Sequence, residues 1–139
     1  MTSRPATGAN ETARILLIDR NRTGMDAIAN ALGACLKAEV RMERAASGKA
    51  GADHLRTARY ALVLLDLASL DDVVPSTEEA VARLVKLAEG ALCIALSEGV
   101  SVSAAVAAMR AGAHDFVAKP VHAEAFSARL AELARRHGK

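Results

Sequence analysis

Ile15-Leu-Leu-Ile-Asp19 and Leu62-Val-Leu-Leu-Asp66 decide the fold of this chain. Each is a continuous aliphatic run of strand length that stops on an aspartate, and a run without polar alternation needs apolar cover on both faces. Two further runs share the design. Leu92-Cys-Ile-Ala-Leu-Ser97 stops on a hydroxyl, and Phe116-Val-Ala-Lys119-Pro120 on an ammonium. If the four are neighbouring parallel strands, their polar ends share one edge of a sheet, where open α/β folds place their ligand sites. Two carboxylates, a hydroxyl and an ammonium at one edge are the equipment for holding a divalent cation and a phosphoryl group together.

Between these runs lie segments of helical period. Met25, Ile28, Leu32 and Leu36 recur at helical spacing after the first run, with Gly33 inside the helix at a cost of about 1 kcal/mol relative to alanine. Residues 39–45 alternate Val40 and Met42 with charged residues, as a strand near a sheet edge does, and residues 48–58 carry a short helix anchored by Leu55. Residues 70–76 form a loop holding Asp71, Asp72 and Pro75. Ser76 or Thr77 can cap the next helix, with Glu78 and Glu79 in its first turn and Val81, Leu84, Val85 and Ala88 on its inner face. Gly90 ends that helix before the strand at 91–96. Ser101 or Ser103 opens another, with Val102, Ala105, Val106 and Met109 as its apolar positions and Gly112 as its end. A last strand at 114–118 and a terminal helix marked by Phe126, Leu130 and Leu133 complete five βα units. Strict alternation predicts a doubly wound parallel sheet with right-handed crossovers, flavodoxin-like (βα)5 with strand order 2-1-3-4-5. Its switch point lies between the first and third strands, the two that end on Asp19 and Asp66.

Composition sets the outer bounds. A chain of 139 residues suits one domain, predicted over residues 13–136, with a small polar N-terminal tail at 1–12 and a short C-terminal tail at 137–139. The apolar fraction is 52% but aromatics are only 2%, so the core is expected to be aliphatic. No apolar run reaches the roughly 18 to 20 residues of a membrane span and no signal-peptide h-region is present, which points to the cytoplasm and away from membranes. Cys35 and Cys93 lack metal-ligand spacing and read as buried thiols. The net charge is +2, and its one basic cluster, Arg135, Arg136, His137 and Lys139, complements a helix C-terminus, so no direct nucleic-acid binding is expected. A flavodoxin-like enzyme or nucleotide binder is disfavoured. No glycine-rich phosphate loop follows the first strand, and His54, His114, His122 and His137 are scattered.

A single aspartate after a strand says little, because aspartate commonly caps turns and helices. The joint pattern says more, and Lys119 stands before a proline, a setting biased away from helix that admits a cis bond in a tight turn. The stretches Arg14-Ile-Leu-Leu-Ile-Asp19, Leu62-Val-Leu-Leu-Asp66-Leu67, Ala95-Leu96-Ser97 and Ala108-Met-Arg-Ala-Gly-Ala-His-Asp-Phe-Val-Ala-Lys119-Pro120-Val121 together resemble the receiver domain of two-component response regulators over residues 13–136. The Ala-Gly-Ala-His-Asp-Phe-Val-Ala-Lys-Pro segment is its most specific part. That resemblance implies a phosphoacceptor signalling domain rather than a substrate-turnover enzyme. Asp66 would take the phosphoryl group from a histidine kinase or phosphotransfer protein, Asp19 would be an acid-pocket carboxylate, and Lys119 would bind phosphate. Mg²⁺ would be held by Asp66, Asp19, the Ala68 carbonyl and waters. Ser97 would sense the phosphoryl group and Phe116 would follow it, changing the surface of helix 4, strand 5 and helix 5 toward a downstream protein or a second copy of the chain.

The sequence also departs from that family. Receivers usually follow the first strand with two adjacent acidic residues, and here the second is Arg20. The exchange changes the local charge by two units, and one unit charge at about 4 Å is worth about 4 kcal/mol at an effective dielectric near 20. Arg20 therefore opens an alternative, a pseudo-receiver in which it pairs with Asp66 or fills the metal position and the domain works as a phosphorylation-independent protein interaction module. Swinging into solvent is the third option for so long a side chain. Leu70 replaces the usual proline four residues beyond the acceptor, and Asp71 or Asp72 could restore a carboxylate. Ala68 and Gly99 cannot orient an attacking water through a side chain, which predicts slow self-dephosphorylation. Ala104, Ala107, Ala108 and Ala128 are expected on the exposed faces of helices 4 and 5, suited to close packing across a dimer.

Overall fold

The computed structural model describes residues 13–21, 25–36, 39–99 and 101–137, so the N-terminal tail at 1–12 and the Cys35 side chain lie outside the described residues. The elements alternate as β1 (Ala13–Ile18), α1 (Met25–Leu36), β2 (Val40–Ala45), α2 (Gly48–Thr57), β3 (Leu62–Asp66), α3 (Thr77–Leu87), β4 (Leu92–Glu98), α4 (Val102–Arg110), β5 (Asp115–Lys119) and α5 (Ala123–His137). A single 3-10 turn, Leu67–Ser69, follows β3 directly. The sheet is five-stranded in the order β2-β1-β3-β4-β5, and every pairing is parallel, as the sequence predicts.

The unbroken apolar runs sort residue by residue onto the two faces, because side chains alternate along a strand. Ile15, Leu17, Leu62, Leu64, Leu92, Ile94 and Leu96 pack with Ile28 and Leu32 of α1 and Phe126, Leu130 and Leu133 of α5. Leu16, Ile18, Val63, Leu65, Cys93 and Ala95 pack on the opposite face with α2, α3 and α4. Each fully buried aliphatic side chain contributes about 1.5–3 kcal/mol, so this two-faced burial outweighs any local preference in setting the strands. Cys93 is 1% exposed, a buried thiol as expected.

Serines set the helix starts. Ser47, Ser76 and Ser101 each accept a hydrogen bond from the main-chain N–H three residues on, of Ala50, Glu79 and Ala104. Each such cap is worth about 1 kcal/mol. Ser76 and Ser101, not Thr77 and Ser103, are therefore the caps. Gly90 adopts φ +92, a left-handed conformation that lets the chain leave α3 and enter β4. Gly51 is buried on α2, where a Cβ would collide with the side chain of Ile18. The helix thus lies close over the end of β1, next to Asp19.

Three local expectations change. β4 extends through Glu98 and β5 begins at Asp115, so Ser97 and Lys119 lie within strands rather than after them. α5 runs through His137, whose ring meets that of His114 edge-on with centroids 4.6 Å apart, so His137 is helix and not tail. On α4, Val102, Val106 and Met109 are exposed, and Ala108, expected outside, is fully buried. Small side chains let α4 approach the sheet closely, and the larger residues are left on its outer face. No helix among the described residues is long and apolar enough to cross a membrane.

Candidate functional site

The alternation that builds the core also aims the polar strand ends. Asp19 continues the Ile15, Leu17 series and Asp66 the Leu62, Leu64 series, while Lys119 is two residues beyond Val117, which packs on the same face. All three therefore leave the sheet on the α1/α5 side. Lys119 Nζ lies 2.6 Å from Asp19 Oδ2 and 3.0 Å from Asp66 Oδ1. Both aspartates are buried, at 2% and 3% exposure. The Lys119–Pro120 peptide bond is cis, a geometry that the sequence admitted.

Each carboxylate oxygen has a distinct partner. Asp19 Oδ1 accepts a hydrogen bond from the main-chain N–H of Asn21 (2.9 Å), and Asp19 Oδ2 accepts one from Lys119. Asp66 Oδ2 accepts a hydrogen bond from the Ser69 hydroxyl at 2.6 Å. Asp66 Oδ1 is buried and, among the described residues, its one polar neighbour is the Lys119 ammonium, an ion-pair contact at 3.0 Å whose N–H is poorly aligned for a hydrogen bond. Burial pulls the Lys119 ammonium down, but the hydrogen bond to Asp19 and the contact with Asp66 outweigh it, and its pKa ends above the usual lysine value. Lys119 stays charged at any physiological pH.

Ser69 is not among the residues that the strand-end pattern picks out. The 3-10 turn after β3 folds its hydroxyl back onto Asp66, and the same oxygen accepts a hydrogen bond from the Arg20 main-chain N–H at 3.0 Å. The available signal was the spacing Asp66-x-x-Ser69, one turn of a tight helix. Of the options open to it, Arg20 takes the one nearest the metal position: its guanidinium lies on the Ala68 carbonyl, with no ion pair to Asp66. Its Nη2 donates to the Ala68 carbonyl at 2.6 Å and to Asp71 Oδ1 at 3.0 Å. Asp71 thus serves Arg20, and Asp72 accepts hydrogen bonds from the N–H groups of Gly48 and Lys49 at the start of α2. Ser97 and Phe116 stand apart from the acidic pair. By strand parity both leave the sheet on the α2/α3/α4 side, where Phe116 packs on the core and Ser97 Oγ donates to the Glu98 carbonyl at 3.4 Å.

A buried carboxylate pair beside a lysine at the switch point of a doubly wound sheet agrees with the family resemblance, and a family model decides it: the response regulator receiver domain matches residues 15–131. The chain belongs to that family. Solved structures agree on the fold. The chain is similar to a CheY-like receiver domain protein from Methanospirillum hungatei at 24% identity and a TM-score of 0.73, with 92% of this chain and 98% of that one covered. A two-component response regulator from Clostridium difficile is 16% identical with a TM-score of 0.75, covering 91% and 99%. A Burkholderia pseudomallei response regulator, described with a phosphorylated aspartic acid, calcium ion and citrate, is 22% identical with a TM-score of 0.71, covering 91% and 71%. No curated protein matches the chain.

Receiver domains are signalling domains of two-component systems, and the family generally binds Mg²⁺ in its acid pocket. Mg²⁺ demands a near-octahedral set of oxygen lone pairs aimed at one point. Here both oxygens of Asp19 and one of Asp66 face protein N–H or O–H donors, and the Ala68 carbonyl faces a guanidinium. Among the described residues no three acidic, histidine or cysteine side chains converge on a point. In this arrangement the donor set does not fit a divalent cation.

Proposed function

We propose that this receiver domain takes a phosphoryl group on Asp66, from a histidine kinase or phosphotransfer protein of a two-component system in the cytoplasm. The observation that carries the reading is Asp66 Oδ1, a buried carboxylate oxygen without an aligned donor, with the Lys119 ammonium 3.0 Å away. Ser69 holds the other oxygen of the same carboxylate, which leaves Oδ1 as the nucleophile. In the transfer, Oδ1 forms a bond to phosphorus while the donor's P–N or P–O bond breaks and its electron pair departs with the leaving group. Lys119 offsets charge on the phosphoryl oxygens, and positioning with charge neutralisation supplies most of the catalysis in such transfers. Ser97 and Phe116 then serve as the responding pair, moving toward the new group from the other side of β4 and β5.

The output surface in this reading is α4, β5 and α5. Val102 is 75% exposed, and Val106 and Met109 lie four and seven residues further on the same helical stripe. A partner protein or a second copy of the chain would cover it. Incubation with acetyl phosphate or phosphoramidate followed by intact mass measurement tests the reading. The expected result is the gain of one base-labile phosphoryl group that is absent in Asp66→Asn and lost slowly from the isolated protein. No gain from either donor, or an unchanged gain in Asp66→Asn, overturns it. One specific observation favours a second reading, the pseudo-receiver: the Arg20 guanidinium lies on the Ala68 carbonyl. That reading predicts partner binding that is unchanged in Asp66→Asn.

A further inference from the structure

We infer that Arg20 is the resident cation of this site, keeping a divalent ion out and letting Asp66 take up a phosphoryl group without metal. The second half rests on the phosphoacceptor reading above; the first half stands without it. Arg20 grips the loop after Asp66 twice. Its side chain holds the Ala68 carbonyl at 2.6 Å, and its main-chain N–H holds Ser69 Oγ, which in turn holds Asp66 Oδ2. A cation bound to Ala68 would have to displace the guanidinium from that oxygen and settle beside a second fixed positive charge, Lys119, held between the two aspartates.

Charge counting points the same way. Asp19 and Asp66 carry two negative charges and Lys119 one positive, and Arg20 adds a second positive charge at the rim, where it is paired with exposed Asp71. A divalent ion would leave the pocket at two positive charges, with the cations already in contact with the oxygens it needs. A phosphoryl group replaces the single charge of Asp66 by one of about −1.5 to −2. With Asp19 still charged, two resident cations leave the phosphorylated pocket at only about −0.5 to −1, where Lys119 alone would leave about −1.5 to −2. Arginine is suited to the task because its planar fork can bind two phosphoryl oxygens at once. Its tie to Asp71 is the weaker of its two side-chain contacts. The Arg20–Asp71 pair is 53% and 74% exposed, and exposed ion pairs hold weakly. Asp71 is therefore a parking place from which the guanidinium can turn to the phosphoryl oxygens.

Two measurements on the whole chain separate the halves. The first is an Mn²⁺ titration read by paramagnetic broadening of the amides of Asn21, Asp66 and Ser69. Wild type is expected to show no saturable broadening at millimolar Mn²⁺, and Arg20→Asp to gain a site at least about tenfold tighter. Arg20→Ala, which removes the charge without adding a ligand, should gain a weaker site and carries the test if Arg20→Asp loses its amide dispersion. Equal affinity in wild type and both variants overturns the exclusion of metal. The second measurement is acetyl phosphate labelling in EDTA and in Mg²⁺. Wild type should label to the same extent in both, whereas Arg20→Asp should lose labelling at least about tenfold in EDTA. Labelling of wild type only with Mg²⁺ overturns the metal-free half. Labelling in neither condition overturns that half together with the phosphoacceptor reading, and leaves the Mn²⁺ titration to decide the exclusion of metal.

Discussion

Two charged clusters flank the sheet, built from the same kinds of group and finished differently. At the C-terminal edge, Asp19, Asp66 and Lys119 converge, and one buried oxygen of Asp66 is left without an aligned donor. Midway along the edge strand β2, Glu43 has both oxygens engaged. Oε1 accepts a hydrogen bond from the Tyr60 hydroxyl at 2.6 Å, and Oε2 accepts two from Arg14, at 2.8 and 3.2 Å. The Arg14 guanidinium also lies over the Tyr60 ring, 5.1 Å from its centroid, and His54 Nδ1 stands 3.2 Å from the Tyr60 oxygen. The saturated cluster spends its charges on one another. The unsaturated one keeps a reactive oxygen and concentrates like charge around it, an arrangement that costs stability and is retained at sites that do chemistry.

Removing Lys119 should have the largest effect, because two buried carboxylates then face each other without a counter-charge. Lys119→Met is expected to lower unfolding stability by about 3 kcal/mol at neutral pH, measured by urea denaturation. Asp66→Asn should leave stability unchanged or raise it, since it removes one of the crowded charges. A loss from Asp66→Asn as large as that from Lys119→Met would mean that the edge is a structural ion pair like the Glu43 cluster.

Ser69→Ala comes next. It strips a hydrogen bond from a buried carboxylate and leaves the Arg20 N–H without its acceptor, for an expected loss of about 2 kcal/mol. Slower labelling of Asp66 should accompany it if Ser69 orients the carboxylate, and a rate unchanged from wild type would reduce Ser69 to a structural role.

Tyr60→Phe probes the saturated cluster and should cost about 1.5 kcal/mol, less because Arg14 still holds Glu43. It carries a pH signature as well. Burial, then the hydrogen bond to Glu43, pushes the Tyr60 hydroxyl up to about 12. A group whose folded pKa is raised contributes stability that is complete below its unfolded value, about 10, and lost as pH rises through the folded one. Wild type should therefore lose stability between about pH 10 and 12. Lys119 is raised too and adds to the same alkaline loss. Only the Tyr60 share vanishes in Tyr60→Phe, so an identical alkaline limb in the variant would remove Tyr60 from this account.

How much of this the sequence displays depends on the kind of interaction. Continuous apolar runs carry their meaning locally, which is why the strand order and the meeting of Asp19, Asp66 and Lys119 were legible from Ile15, Leu62 and Phe116 onward. Ser69 was not, because its hydroxyl reaches Asp66 only through a 3-10 turn that a loop sequence does not announce. Arg20 was legible as an anomaly and not as a contact, since a long flexible side chain has many reachable acceptors and the Ala68 carbonyl is chosen by the turn that presents it. The α4 helix misled for a different reason. Its apolar period was real, but the close approach of α4 selected Ala108 for the inside and put Val102, Val106 and Met109 outside.

The smallest effect should come from a third charged pair, at the start of β5. Arg129 of α5 donates from Nε and Nη2 to the two oxygens of Asp115, 2.6 Å each, and Asp115 Oδ1 also accepts the Phe116 main-chain N–H. Burial alone would raise the Asp115 carboxyl, but the Arg129 fork and that N–H together hold it below the usual aspartate range. A depressed carboxylate contributes stability present above its unfolded pKa of about 3.9 and lost as pH falls through the folded value. The acid limb of wild type should therefore include a step below about pH 4 that Asp115→Asn lacks. Because Arg129 is half exposed, solvent screening limits the loss in Asp115→Asn at neutral pH to about 1 kcal/mol or less. A loss approaching that of Lys119→Met would mean that bidentate pairing in half-exposed surroundings matters as much as a counter-charge in a buried pocket, and the contrast between saturated and unsaturated clusters would fail.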